Sequence, residues 1–290
     1  MSRIHPLALI SSSAKIGQDV AIGAFCVIED GVVIGDGCQL ASHVVVKSGT
    51  QLGANNSVSE AAILGGLPQH ATAKGPFGGL IIGNNNTIRE HVTMHRALAA
   101  DKNTTIGDNN LFMAASHVGH DTTVHNNAIL VNSVLLGGHA TVEDRAYLGG
   151  ATAVHQFCRI GRNAMIGGHA RIVQDVPPYV MVDGDTAKIC GLNLVGLRRA
   201  GYTTEEISQL KAAYRLIYRG GLLWDDLLAS LGRDYATGPA AQFLPFFQGG
   251  KRGFIQERRL PPRATLKITG TDSEEAPAAD QGETPARKAG

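Results

Sequence analysis

The sequence predicts a mainly β protein, a parallel β-helix of hexapeptide repeats followed by a small C-terminal α-helical domain. Three observations carry that prediction. An aliphatic residue recurs at every sixth position; 36 glycines accompany only 5% aromatics; and the spacing turns helical beyond Pro177–Pro178. A core with so few aromatics has to be built from aliphatic side chains between tight turns.

The repeat runs Ile10, Ile16, Ile22, Ile28, Ile34, Leu40, Val46, Leu52, Val58, Leu64. It resumes at Ile82, Ile88 and Met94, then again from Ile106 through Phe112, Val118, Val124, Leu130, Leu136, Val142, Leu148, Val154, Ile160 and Ile166 to Ile172. A helix needs a period of 3.6 and a simple strand a period of 2. A period of six with a frequent following glycine (Gly17, Gly23, Gly35, Gly107, Gly161) is the hexapeptide pattern. Three hexads make one 18-residue triangular coil, with the aliphatic pointing inward and stacking at the roughly 4.8 Å spacing of paired strands. Four residues after each aliphatic the chain is again small: Val20, Cys26, Cys38, Ala128, Ala140, Cys158. Three of the four cysteines occupy that site, and none forms a CxxC pair. All four are therefore expected as buried reduced thiols.

Two stretches break the register, Gly66 to Gly79 and Arg96 to Thr105, and both read as loops expelled from the prism. Thr203 followed by Glu206 is a capping box. Ile207, Leu210, Tyr214, Ile217 and Tyr218 then carry a helix to Arg219–Gly221. Further helices are expected over Leu222–Leu231 and around Ala240–Gln248. The division is 1–190 prism, 191–258 helical domain, and 259–290 a Pro-, Glu- and Ala-rich disordered tail.

Charge excludes other classes. Twenty-six basic against twenty-five acidic residues give +1, which is not the footprint of a nucleic-acid binder. No apolar run approaches about 18 residues, so no transmembrane segment is expected. Met1 to Ile10 lacks the pattern of a secretory signal, and a cytoplasmic location follows.

Eleven histidines raise the question of which carry chemistry. His120 and His139 are 19 apart, and His120 and His155 are 35 apart, each gap within one residue of whole coils. The three are expected to stack on one edge of the prism, with His117 on the same coil as His120. The plain alternative is surface histidines in turns. Asp121 beside His120 suits a general base near neutral pH. Gly138, before His139, can bring a backbone N–H close to a developing oxyanion. No Ser or Cys nucleophile stands beside a base, so direct base-assisted transfer fits better than a covalent intermediate.

Several segments resemble the UDP-N-acetylglucosamine O-acyltransferases, which perform the first step of lipid A synthesis. They are His5-Pro6, Ser116-His117-Val118-Gly119-His120-Asp121, Thr152-Ala153-Val154-His155-Gln156-Phe157-Cys158, Gln174 to Tyr179, and Gly191-Leu192-Asn193 with Gly196-Leu197-Arg198-Arg199. The resemblance spans about residues 4 to 255. It implies a left-handed β-helix, a homotrimer with sites between adjacent prisms, and no metal or cofactor. It also implies His120 as the base that takes the proton of the sugar 3-hydroxyl attacking an acyl-carrier-protein thioester, Asp121 as the carboxylate that orients it, and Gly138 as the oxyanion donor. His117, His139, His155 and Gln156 match contacts to the sugar nucleotide. Asn193 and Arg199 match substrate-holding positions, the arginine fork suiting phosphate. Gly168 matches the position that limits acyl length, and glycine there implies a long 3-hydroxyacyl chain. Gln69 opens a loop in which the family has an acidic and a basic substrate contact. Here it continues His70-Ala71-Thr72-Ala73-Lys74, so neither is matched in register, and Val195 and Ala200 replace the commoner Glu and Arg, which leaves the acceptor open between the 3-hydroxyl and a 3-amino analogue.

An acidic carrier protein needs a basic landing surface, and eleven basic residues against six acidic ones between Arg198 and Arg263 supply one. The competing readings are a CoA-dependent sugar acetyltransferase, a trimeric hexapeptide carbonic anhydrase with zinc on His117, His120 and His139, and a non-catalytic structural member.

Overall fold

The hexad turns into structure with little remainder. A computed structural model, describing residues 3–258, shows each repeat as a two-residue strand and a two-residue turn, wound as a left-handed parallel β-helix. Strands one coil apart pair in parallel, Arg3 with Ala21, Leu9 with Val27 and Lys15 with Val33. These three strands begin faces 1, 2 and 3 of a triangular prism. After the first coil, the aliphatic residue of each hexad strand is buried and the residue before it points out, so Ile22, Ile28, Ile34 and their successors form one continuous aliphatic core. From Asp19 onward the second residue of the hexad turns is left-handed, φ 57° at Asn55, Asn85 and Arg145 and 58° at Asn109 and Asn127. Asparagine, frequent on the edge between faces 3 and 1, tolerates that conformation better than most residues.

The small interior site before three face-1 strands holds Asn56, Asn86 and Asn110, all at 2% exposure or less. They stack as a ladder. The Asn86 amide donates to Asn56 Oδ1 at 3.0 Å and to the Gly107 carbonyl at 3.0 Å, while Asn86 Oδ1 accepts the Asn110 N–H at 2.9 Å. Asn86→Ala strands these groups without water, and each orphaned buried polar group costs about 1–3 kcal/mol. We expect a loss of about 2–4 kcal/mol, read as a lower denaturation midpoint; an unchanged midpoint refutes the ladder's contribution.

Both register breaks leave the prism at the same edge, between faces 2 and 3. The chain departs after the face-2 strands Ile63–Gly66 and Thr93–His95 and rejoins face 3 at Gly79–Ile82 and Asn103–Ile106. The next coil along that edge carries His120.

Beyond Val180–Val182 the chain reverses in an antiparallel strand, Ile189–Leu192. Helices α1 (Leu194–Arg199), α2 (Thr204–Arg219), α3 (Trp224–Asp234) and α4 (Phe243–Gln248) follow, with a 3₁₀ turn at Pro239–Gln242. Thr203 and Glu206 form the expected reciprocal cap on α2. Two spans differ from the sequence reading. The helix expected from Leu222 begins at Trp224, and the one expected from Ala240 divides at Phe243. The short α1 and the reversing strand carry no helical or hexad period and were not expected. Tyr179, Leu197, Leu210, Phe243, Phe246 and Phe247 form a second core. Arg159 fastens it to the prism, bonding the buried Asp175 at 2.8 Å and the Phe246 carbonyl at 2.7 Å. Cys26, Cys38 and Cys158 are buried, whereas Cys190 is exposed because it lies on the reversing strand and not in the repeat. The tail expected from residue 259, with Arg259 and Arg263, lies outside the described residues.

Candidate active site

The edge between faces 2 and 3 brings the predicted pair together. His120 and Asp121 are the two turn residues of one coil, Asp121 at φ 58°. His120 is 7% exposed, and its Nδ1 lies 2.8 Å from Asp121 Oδ2. The same carboxylate oxygen accepts the Leu98 N–H at 3.1 Å, and the Asp121 N–H donates to Thr104 Oγ1 at 2.8 Å. A carboxylate braced by the Leu98 N–H, on a backbone fixed by Thr104, sets the imidazole's orientation and leaves its other nitrogen, Nε2, for a substrate.

One coil further, Gly138 takes the place of His120 in the turn. A Cβ at 138 would fall 2.6 Å from His120 Cε1 and Nε2, so only glycine lets the ring lie there. Among the described residues the Gly138 N–H makes no hydrogen bond. His139 follows, its ring edge-on to His120 at 5.1 Å and its Nε2 3.7 Å from Asp121 Oδ2.

The third rung is corrected. His155 is on the expected edge, but a coil is 18 residues and His155 stands one residue short of the turn. Phe157 takes the rung instead, stacked on His139 at 4.5 Å. His155 lines a groove of about 600 Å³ on face 2, shared with Gln69, His117, Leu135, Ala153 and Arg171. Its Nδ1 lies 3.1 Å from the Arg252 guanidinium. Gln156 is the turn residue aligned with His120 and Gly138.

His117 bonds Thr93 Oγ1 through Nδ1 at 2.9 Å, and its ring lies 5.0 Å from that of the buried His95. Burial, with His95 adding to it, pushes the His117 pKa down to about 4. Burial also lowers His95 and His139, the latter opposed by Asp121. The unfolded chain binds the His117 proton near pH 6.5 and the folded chain only near 4. Stability therefore falls as pH drops through that window and levels off below it. His117→Asn should flatten the decline of the melting temperature between these limits; identical slopes in both proteins contradict the assignment.

Asn193 and Arg199 lie elsewhere. They line a groove of about 600 Å³ on face 1 with Tyr147, Met165 and Met181. Asn193 also caps α1, accepting the Gly196 N–H at 3.0 Å and donating to the Asn163 carbonyl at 2.9 Å. Gly168 is on the edge between faces 1 and 2, where a Cβ would stand 3.0 Å from the Gly150 carbonyl oxygen. Within one chain these three are apart from His120.

The sequence reading did not place Phe157, His95 or His70 at the site. Phe157 could have been found, since it lies one coil after His139. His95 bonds the Leu67 carbonyl at 2.6 Å and so anchors the first expelled loop, and the His70 ring is 5.9 Å from that of His120. Neither follows from a period. Among the described residues, His120, Asp121 and His139 are the group whose ligand atoms come within 4.8 Å of one another and could hold a metal ion. His117, offered for zinc with His120 and His139, is outside that group.

A prism of hexapeptide coils with an oriented histidine on one edge defines a hexapeptide-repeat transferase. Residues 13–48 match the bacterial transferase hexapeptide model, and residues 175–255 match the second domain of UDP-N-acetylglucosamine O-acyltransferase. The acyl-[acyl-carrier-protein]--UDP-N-acetylglucosamine O-acyltransferase of Thermodesulfovibrio yellowstonii is 44% identical over 258 residues, covering 88% of this chain and all of that protein. Among solved structures, the UDP-N-acetylglucosamine acyltransferase of Francisella novicida superposes with a TM-score of 0.84 at 38% identity, covering 88% of this chain and 94% of that one. The UDP-N-acetylglucosamine O-acyltransferase of Moraxella catarrhalis gives 0.84 at 38% identity, with 87% and 99% coverage. The chain belongs to the UDP-N-acetylglucosamine O-acyltransferase family.

Proposed function

We propose that the protein moves a 3-hydroxyacyl chain from acyl-carrier protein to the 3-hydroxyl of UDP-N-acetylglucosamine, the first step of lipid A synthesis. The observation that carries this is the 2.8 Å contact between His120 Nδ1 and Asp121, beside the unbonded Gly138 N–H. His120 Nε2 takes the proton of the sugar hydroxyl as its oxygen attacks the thioester carbonyl. The Gly138 N–H donates to the carbonyl oxygen as it gains charge. When the C–S bond breaks, the thiolate leaves with the proton that His120 holds, giving an ester and a free carrier thiol. No cofactor enters this balance. Asp121 already accepts from Leu98 and holds His120, which suits a base's orienting partner better than a metal ligand.

His117, His139, His155, Gln156 and Gln69 surround the sugar nucleotide in this reading, and the face-2 groove leads away from His120 past Leu135 and Ala153. Gly168 leaves room for a long acyl chain. Arg199 and Asn193 act from the neighbouring copy of a homotrimer. Face 1 exposes Tyr147 and Met181, each at 36%, and face 2 exposes Leu135 at 47%, so a ring seating face 1 on face 2 covers both. It also brings the arginine of one copy to the histidine of the next. The basic side chains of α1, α2 and α3, with Lys251 and Arg252 after α4, offer the carrier protein a landing surface. Among the described residues no helix is long and apolar enough to cross a membrane. A cytoplasmic place of work belongs to the same proposal.

Turnover with UDP-N-acetylglucosamine and 3-hydroxyacyl carrier proteins of graded length tests the reading, alongside the matching CoA thioesters. We expect transfer from the carrier and a preference for long chains. Efficient transfer from acetyl-CoA, or none from any carrier, overturns it. Gly138→Ala should lower kcat by about 100-fold or more as the added methyl displaces His120 and the oxyanion donor; wild-type kcat in this variant removes Gly138 from the mechanism.

A further inference from the structure

The acyltransferase reading assigns no role to His70, although the fold builds it into place. The loop carrying it leaves the prism at the edge of His120, two coils before it. Its entry is tied down where the buried His95 holds the Leu67 carbonyl. Within the loop, the His70 N–H donates to the Pro68 carbonyl at 2.9 Å, the Ala73 N–H donates to the His70 carbonyl at 3.1 Å, and Thr72 Oγ1 lies 3.3 Å from His70 Nδ1. The neighbouring Gln69 lines the face-2 groove. Consecutive residues thus face the groove and the base.

The His70 ring stands nearly perpendicular to that of His120, at 82° and 5.9 Å between centroids. Among the described residues its Nε2 has no partner. The same ring is near enough to His139 for its charge to be felt there. Two imidazoles at this separation, each with Nε2 free, can address two oxygens on adjacent carbons of one sugar, since vicinal hydroxyls lie about one hydrogen-bond length apart. His120 takes the hydroxyl that becomes acylated. The hydroxyl beside it, on the side away from the 2-acetamido group, is the one left for His70.

We propose that His70 is a further substrate-contacting residue, hydrogen-bonding through Nε2 the 4-hydroxyl of the acceptor N-acetylglucosamine while His120 deprotonates the 3-hydroxyl. The proposal rests on the acyltransferase reading above. Its consequence is specificity: His70 holds the sugar so that one hydroxyl, not its neighbour, meets the thioester.

The test is a cycle of two proteins and two acceptors, UDP-N-acetylglucosamine and its 4-deoxy analogue, with one acyl-carrier protein as donor. His70→Ala should lower kcat/KM for the natural acceptor by about 3- to 10-fold, the span of one neutral hydrogen bond, with the KM for the carrier unchanged. The wild type should lose a similar factor on the 4-deoxy acceptor, and His70→Ala should lose nothing further. His70→Gln, which returns a polar atom near the Nε2 position, should recover part of the loss only with the natural acceptor. Full activity in His70→Ala, or losses that multiply across the cycle, overturns the contact while the acyltransferase reading stands. A carrier KM that rises instead places His70 on the donor side and also overturns it. Wild-type protein that transfers no acyl group to either acceptor refutes the acyltransferase reading itself.

Discussion

His120→Ala should abolish acyl transfer while the prism stays folded. A positioned general base contributes about 10²- to 10⁴-fold, and the rate loss should lie in the upper part of that range because no second residue can take over. His139 is near, but its Nε2 is 3.7 Å from Asp121, and burial disfavours its charged form. The His120 side chain sits on the edge of the prism, outside the aliphatic stack, so its removal leaves the core intact. Circular dichroism and the melting temperature should therefore match the wild type. Asp121→Asn should give a smaller loss in kcat, because the amide can still bond Nδ1 but no longer stabilises the imidazolium. Retained turnover in His120→Ala would leave a scaffold with no identified base.

The second large effect concerns assembly. His120→Ala and Arg199→Ala should each be nearly inactive alone. Mixed, denatured and refolded together, they should recover a substantial part of the lost activity. The reason is placement: Arg199 lines the groove on face 1, while His120 is at the edge between faces 2 and 3. A site that uses both takes them from different copies, so a mixed ring contains at least one interface with both residues intact. Mixtures that stay inactive, with refolding shown by the wild-type control, would place the whole site within one chain and leave Arg199 without a part in it. Sedimentation of the wild type should give the mass of three chains.

How much of this was legible beforehand varies with the physics behind each feature. The prism was, because the hexad is a local property: one aliphatic in six, with a turn between, dictates where every strand lies and which residue faces in. The two loops announced themselves as breaks in the same count. His120, Asp121 and Gly138 were legible as motif and spacing, and the structure places them in contact. The Asn56, Asn86 and Asn110 ladder stands four residues after Leu52, Ile82 and Ile106, but a buried amide has no signal in the sequence until its neighbours are known. His155 was misplaced by a single residue, since a spacing of 35 is one less than two coils.

From the amino-acid order alone came the coil, the edge that holds the histidines, and the capped helix after Thr203. Only the tertiary structure decided that Phe157 and not His155 stacks on His139, that Leu98 braces Asp121, that His70 arrives over the base, and that Arg199 faces away from it. A period specifies direction along a regular backbone. Loops have no period, so what they touch depends on how the whole chain packs around them.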